Sequence, residues 1–244
     1  MTKLSVNLNK IALLRNSRGR DFPNVVDFAK KFIQLGVTGI TVHPRQDERH
    51  ITVQDTLDLA DLLKDNIQVE FNIEGYPSDD FLALVEKTSP DQCTLVPDSP
   101  DQLTSDHGWD LIQHGAWIKE ISQQFKKSAI RTSIFLDPDI NQVKLVKATG
   151  AERIELYTEA YAASYEQKSI FKKYQETALL AQQQGIGVNA GHDLDLQNLA
   201  HFLTIPNILE VSIGHVLTIE CIEQGMPSVI KKYLNICENS AKII

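Results

Sequence analysis

Five proton-moving side chains each stand within or just past a short apolar run. They occur in Thr41-Val42-His43, Asn72-Ile73-Glu74, Ile154-Glu155-Leu156, Ala190-Gly191-His192 and Ile213-Gly214-His215. Imidazole and carboxyl groups are the usual acids and bases of catalysis near neutral pH. The sharpest transition lies between Gly39 and Ile51. There Gly39-Ile40-Thr41-Val42 passes within one residue into His43-Pro44-Arg45-Gln46-Asp47-Glu48-Arg49-His50. The apolar, β-branched run suits a buried parallel strand. Unpaired charge cannot follow it into a core, because its burial costs several kcal/mol. The stretch therefore reads as a strand that ends in a polar site.

The rest of the chain must bring these strand ends together. Short β-branched runs are expected at Ser5–Asn9, Gly39–Val42, Val69–Glu74, Cys93–Val96, Thr132–Leu136, Arg153–Tyr157, Ile186–Ala190 and Leu209–Ile213. Helical periodicity separates them. Pro23 precedes one helix that Gly36 ends, and Thr52, Ser78 and Asp139 are placed to start others. A helix through Leu111–Phe125, one from Gln167 to Gln184, one over Leu194–Leu203 and a helical C-terminal segment complete the pattern. Arg15–Arg20 reads as a basic loop, and the segment around Thr158–Tyr165 as a further loop. Strand then helix, eight times, predicts an α/β fold: a (β/α)8 TIM barrel, one domain over residues 1–244. The polar stretch Pro97–Gly108 after the fourth strand is long enough to be a lid. An open doubly wound sheet is disfavoured, because no Gly-rich phosphate fingerprint follows the first strand.

In such barrels the site lies at the C-terminal ends of the strands. That rim would hold Asn7, Asn9, His43, Arg45, His50, Glu74, Thr104, Glu155, Asn189, His192, Ser212 and His215. Each residue has a plainer reading. His43 could be a satisfied structural histidine, and Glu74 a capped surface carboxylate. Glu155 matters if the pleat points it into the barrel, where it needs a functional partner. Gly191 and Gly214 either let backbone N–H groups approach a ligand or only make tight turns. Arg15, Arg18, Arg20, Arg45 and Arg49 add cation capacity for an anion. His43, His192, His215, Glu74 and Glu155 could ligate a metal, but no HxH ends the first strand, and no metal site is expected.

The net charge of −8 argues against non-specific nucleic-acid binding, which needs a basic field. Cys93, Cys221 and Cys237 form no CxxC or zinc-type spacing. No leader-like apolar region opens the sequence and no run is long enough to span a bilayer, so a cytoplasmic location is the expectation.

The motifs Val6-Asn7-Leu8-Asn9-Lys10 through Arg15-Asn16-Ser17-Arg18-Gly19, Gly39–Arg45 with Asp47–Ile51, Asn72-Ile73-Glu74, Leu95-Val96-Pro97, Val188–His192 and Ile213-Gly214-His215 occur in this order. On them the whole chain resembles the pyridoxine 5′-phosphate synthase family. The resemblance implies condensation of 3-amino-2-oxopropyl phosphate with 1-deoxy-D-xylulose 5-phosphate to pyridoxine 5′-phosphate, phosphate and water. It implies His43 and Glu74 as proton acceptors, His192 as proton donor and Glu155 as the transition-state stabiliser. Arg45, His50 and Thr104 would hold the deoxyxylulose phosphate, which the Asn9-Lys10 pair would also touch, and Asp193 stands at a further substrate-binding position. Asn7, Arg18, Gly214 and His215 would hold the aminoketone phosphate. No cofactor or metal is implied, and a homo-octamer is. Two positions depart from the family: Asn9-Lys10 stands where Asp-His is usual, and Asp193 where Gly is usual. The rival readings are a metal-dependent phosphosugar lyase or epimerase and a catalytically inactive barrel that binds phosphorylated ligands.

Overall fold

The computed structural model describes residues 1–98, 102 and 104–239. Its strands are β1 (Lys3–Asn7), β2 (Gly39–Val42), β3 (Glu70–Gly75), β4 (Gln92–Leu95), β5 (Arg131–Leu136), β6 (Arg153–Tyr157), β7 (Gly187–His192) and β8 (Ile208–Ile213). All pair in parallel in chain order, and β8 closes onto β1. The helices are α1 (Asn9–Asn16), α2 (Val25–Gln34), α3 (Val53–Lys64), α4 (Asp79–Thr88), α5 (Leu111–Lys127), α6 (Ile140–Thr149), α7 (Glu159–Ala163), α8 (Lys168–Gln183), α9 (Leu199–Phe202), α10 (His215–Gln224) and α11 (Met226–Asn239). This is the expected (β/α)8 barrel. No described helix is long and apolar enough to cross a membrane.

Helix starts follow from capping side chains. Asn24 accepts from the Asp27 N–H, Ser78 from Phe81 and Asp139 from Asn141, while Thr52 and Asp55 form a reciprocal capping box. One face of each strand is apolar. Ile40, Ile73, Leu95, Ile134, Ile154, Val188 and Val211 are fully buried in one cluster with helix residues such as Leu59, Val85, Phe125 and Ala178.

The opposite face is polar, and it fills the barrel. Contacts between strands that are not neighbours locate it. Thr94 on β4 reaches Glu155 on β6 at 3.5 Å, and Asn189 on β7 reaches Gln92 on β4 at 3.4 Å. Only side chains that point inward can meet in this way. Below the rim, Lys3 and Arg131 each lie 3.2 Å from Glu70, Arg131 donates to Gln92, and Arg153 to Gln92 and Asn189. A register shift at Val188/Asn189 sets Asn189 opposite Glu210, to which it donates at 3.5 Å. Barrel interiors are commonly filled by branched apolar residues. Here buried polar groups take their place, and each needs a partner.

Several boundaries differ from expectation. β1 ends at Asn7, not Asn9, because Asn7 Oδ1 accepts from the Asn9 N–H at 2.9 Å and turns the chain into α1. Part of the supposed basic loop, as far as Asn16, is therefore helical. β7 extends through His192. The supposed helix over Leu194–Leu203 is one turn, Leu199–Phe202, because Asp195 and Asn198 bond locally to backbone N–H groups. Glu159–Ala163 forms a short helix within the expected loop. Within the expected lid, Ser99, Pro100, Asp101 and Leu103 lie outside the described residues.

Candidate active site

The C-terminal strand ends open into one cavity of about 750 Å³. Asn7 reaches it from β1, Asn9 and Lys10 from α1, and His43, Arg45 and His50 from the segment after β2. Glu74 enters from β3, Glu155 from β6, His192 and Asp193 from the end of β7, and Gly214 and His215 from the β8–α10 turn. Thr104 lines it from the segment after β4. Arg18 does not line it. The eight residues of α1 rise about 12 Å, and Arg18 stands exposed beyond them.

His43 is buried, and its backbone N–H donates to Asn9 Oδ1 at 3.0 Å. Asn9 thus ties α1 to the end of β2, a task an amide performs without charge. Burial, then the neighbouring Arg45, His50 and Arg49, holds the His43 imidazole well below its ordinary value. His50 is pushed down to about 4, again by burial first and then by Arg45 and Lys10. Both rings are therefore neutral at pH 7 and able to accept protons. The loop that carries His50 is clamped from α1. Its carbonyl accepts from Asn16 at 2.8 Å and from Arg15 at 3.3 Å, and Arg15 also pairs with Asp55 in the α3 capping box. Arg15 is thus committed to the scaffold and is not a free anion ligand. Arg45 pairs with the buried Asp98 and donates to the Gln102 carbonyl at 2.8 Å, to which Arg49 also donates at 3.2 Å.

Glu74 and Glu155 are not surface carboxylates. Asn7 Nδ2 donates to Glu74 Oε2 and Asn72 Nδ2 to Oε1, both at 3.4 Å. Glu155 is 3 % exposed. Burial, followed by the Glu210 charge, pushes its carboxyl up to about 8, and burial pushes Glu74 up as well. The two glycines before His192 and His215 make room for these groups. A Cβ on Gly191 would stand 2.1 Å from Glu155 Oε1, and one on Gly214 would stand 3.0 Å from the Asn7 Cβ.

His192 ends β7 with φ +96°, a strained conformation for a residue other than glycine. Its Nδ1 lies 3.0 Å from Asp193 Oδ2, and its Nε2 lies 3.4 Å from Thr104 Oγ1. A carboxylate acceptor assigns the proton to Nδ1 and leaves Nε2 facing the cavity. Asp193, expected to bind substrate, lines the cavity and pairs with His192.

Three features escaped sequence reasoning. Glu210, 1 % exposed and pushed up to about 7 by burial, lies in the interior below the site. Its signal was the alternation Glu210-Val211-Ser212-Ile213, the same signal that singled out Glu155. Phe135 and Tyr157, 5.4 Å apart, form an apolar wall with Val96, and nothing local marked them. Arg153 shares the interior face of β6 with Glu155, and nothing in its place at the start of the strand marked it. Among the described residues no group of three His, Cys, Asp or Glu side chains is arranged to hold a metal ion.

A closed (β/α)8 barrel whose C-terminal rim gathers neutral imidazoles, buried carboxyls and cations defines an acid–base barrel enzyme. The chain belongs to the family of pyridoxal phosphate biosynthesis protein PdxJ, whose model matches residues 4–239. It is 49% identical over 238 residues to pyridoxine 5′-phosphate synthase of Bacteroides thetaiotaomicron, covering 96% of this chain and 99% of that one. It is 48% identical over 239 residues to the synthase of the same name from Christiangramia forsetii, covering 97% and 99%. Among solved structures, 3-hexulose-6-phosphate synthase from Salmonella typhimurium superposes with a TM-score of 0.68 at 13% identity, over 98% of this chain and 100% of that one. The tryptophan synthase α-subunit of Pyrococcus furiosus does so with 0.65 at 12%, over 96% and 100%. At that identity the two share the fold alone.

Proposed function

We propose that the chain condenses 3-amino-2-oxopropyl phosphate with 1-deoxy-D-xylulose 5-phosphate to pyridoxine 5′-phosphate, releasing phosphate and water. The observation that carries this reading is the gathering of two neutral imidazoles and two buried carboxyls in one cation-rimmed cavity. The amine of one substrate attacks the ketone of the other, and loss of water gives a Schiff base. Further proton transfers, dehydration and loss of phosphate close the ring. Neutral His43 and the Glu74 carboxylate accept protons. His192 Nε2 takes up a proton and donates it again at a later step, with Asp193 on Nδ1 steadying the imidazolium between. Glu155, kept neutral by burial, donates a hydrogen bond to developing negative charge. Lys10, Arg45 and His50 face one phosphate. The start of α10, which no side chain caps, offers free N–H groups to the other. Thr104, Ser105 and Asp106, on the segment after β4, line the cavity and help to exclude water from the intermediates.

The protein works in the cytoplasm as a homo-octamer; exposed Leu14, Phe22, Ile219 and Ile222 supply apolar surface for packing between copies, and light scattering measures the assembly. The reaction is tested by supplying both substrates and following pyridoxine 5′-phosphate and free phosphate. No product above the uncatalysed rate refutes it. A stoichiometric transition metal in the active protein would favour the lyase or epimerase reading.

A further inference from the structure

We propose that Asn72 and Thr94 are positioning residues that assign the protons of the two catalytic carboxyls, keeping Glu74 ionised and Glu155 protonated. The inference rests on the roles given to those carboxyls above. Glu74 and Thr94 face each other across the β3–β4 register, with Asn72 one pleat below Glu74. Asn72 and Thr94 are completely or almost completely buried. Thr94 Oγ1 lies 3.0 Å from Asn72 Oδ1 and 3.5 Å from Glu155 Oε2, and Asn72 Nδ2 lies 3.4 Å from Glu74 Oε1. Together they form one chain: Glu155, Thr94, Asn72, Glu74.

The chain has a direction. A hydroxyl carries one proton. Thr94 gives its proton to Asn72 Oδ1, the nearer acceptor, so a lone pair is left toward Glu155. Only a protonated Glu155 can complete that contact. The Asn72 amide, with its oxygen held by Thr94, turns its N–H toward Glu74, which accepts as a carboxylate. Asn7 Nδ2 and the Ser212 hydroxyl also donate to Glu74. Every group bonded to Glu74 therefore favours its ionised form. Two buried carboxyls in one interior do not both ionise readily, and the donors decide between them.

The other charged neighbours do not decide it. Burial, then Glu155 when charged, Glu210 and Asp98, opposes ionisation of Glu74, and burial, then Glu210, opposes that of Glu155, so the hydrogen-bond donors are what separates the two. Cys93 and His43 stand beside Glu74, and Arg153 lies below Glu155. Glu210 acts on both carboxyls in the same sense.

Two measurements test the assignment. In the wild-type enzyme, kcat/KM should fall at high pH as Glu155 loses its proton. Thr94→Val removes the acceptor for that proton and should move the alkaline limb to lower pH by about one unit, a tenfold change in proton affinity. Thr94→Ser, which keeps the hydroxyl, should restore it. An unmoved limb, or one moved to higher pH, overturns the proposal; the second result would mean that Thr94 donates to a Glu155 carboxylate. Infrared difference spectra at pH 6 need neither substrate nor turnover. Once the band of Glu210, itself raised to about 7, is identified with Glu210→Gln, one further carbonyl stretch of a protonated carboxylic acid should be lost in Glu155→Gln and kept in Glu74→Gln, and the reverse overturns the proposal. A chain that makes no product would refute the synthase reading and leave the spectra to judge the proton assignment.

Discussion

Replacing Glu155 by Gln should stabilise the protein at alkaline pH while destroying its activity. Burial and the facing Glu210 raise the Glu155 carboxyl from 4.5 to about 8. Between those values the folded chain keeps a proton that the unfolded chain releases. The folded state then binds more protons, so stability falls as pH rises. About 3.5 units at ~1.36 kcal/mol each give about 5 kcal/mol lost between pH 4.5 and 8. Gln is close in size, can face Thr94 as the acid does, and cannot ionise. Glu210, raised to about 7, titrates in both proteins, and its contribution differs between them only through its repulsion with Glu155, which is part of the effect being measured. The assay is urea unfolding of wild type and Glu155→Gln at fixed protomer concentration, from pH 5 to pH 8.5. The variant's advantage should grow steadily with pH by several kcal/mol. Parallel stability curves would mean that Glu155 titrates alike in the folded and unfolded states, and would remove the neutral acid from the mechanism.

Glu74→Gln should cut turnover by orders of magnitude while both substrates still bind, as calorimetry would record; wild-type turnover would remove Glu74 from the reaction. Gly191→Ala places a methyl group 2.1 Å from Glu155 Oε1, so kcat should fall at least about tenfold through displacement of the carboxyl, with the folded circular dichroism spectrum kept. Asp193→Gly removes the acceptor that orients His192, and steady-state kinetics should show kcat reduced roughly tenfold with KM for the phosphorylated substrates unchanged or lower. Burial holds His50 down at about 4 against an ordinary 6.5. Its folded form therefore binds fewer protons than the unfolded chain across that window. Stability should drop by up to about 3 kcal/mol as pH falls from 6.5 to 4, and His50→Gln should flatten that part of the curve.

The barrel was legible in the chain because its outward strand faces and its helices obey local rules. Ile40, Ile73, Ile154 and Val211 announce strands buried against helices, and Thr52, Ser78 and Asp139 announce helix starts; none of these needs distant information. The rim was legible too, since a strand that ends in His43, Glu74 or His192 must open onto something polar. The errors fell where short side chains bond to nearby backbone, as Asn7 does in stopping β1 and Asp195 and Asn198 do in shortening a helix. Arg15 and Asp193 show what residue type alone cannot say, namely whether a charge also meets another residue, since Asp55 and His192 pair with them.

The amino-acid sequence by itself determined the eightfold alternation, the residues at the strand ends and the kind of chemistry they can perform. Only closure of the barrel decided which protons they carry. Closure sets Thr94 of β4 against Glu155 of β6, and Asn189 of β7 against Gln92 of β4, partners from strands that are not neighbours. A carboxyl's ionisation depends on burial and on donors a few ångströms away. Those donors come from distant parts of the chain, so the protonation of Glu74 and Glu155 is a property of the fold and cannot be read from the residues around either one.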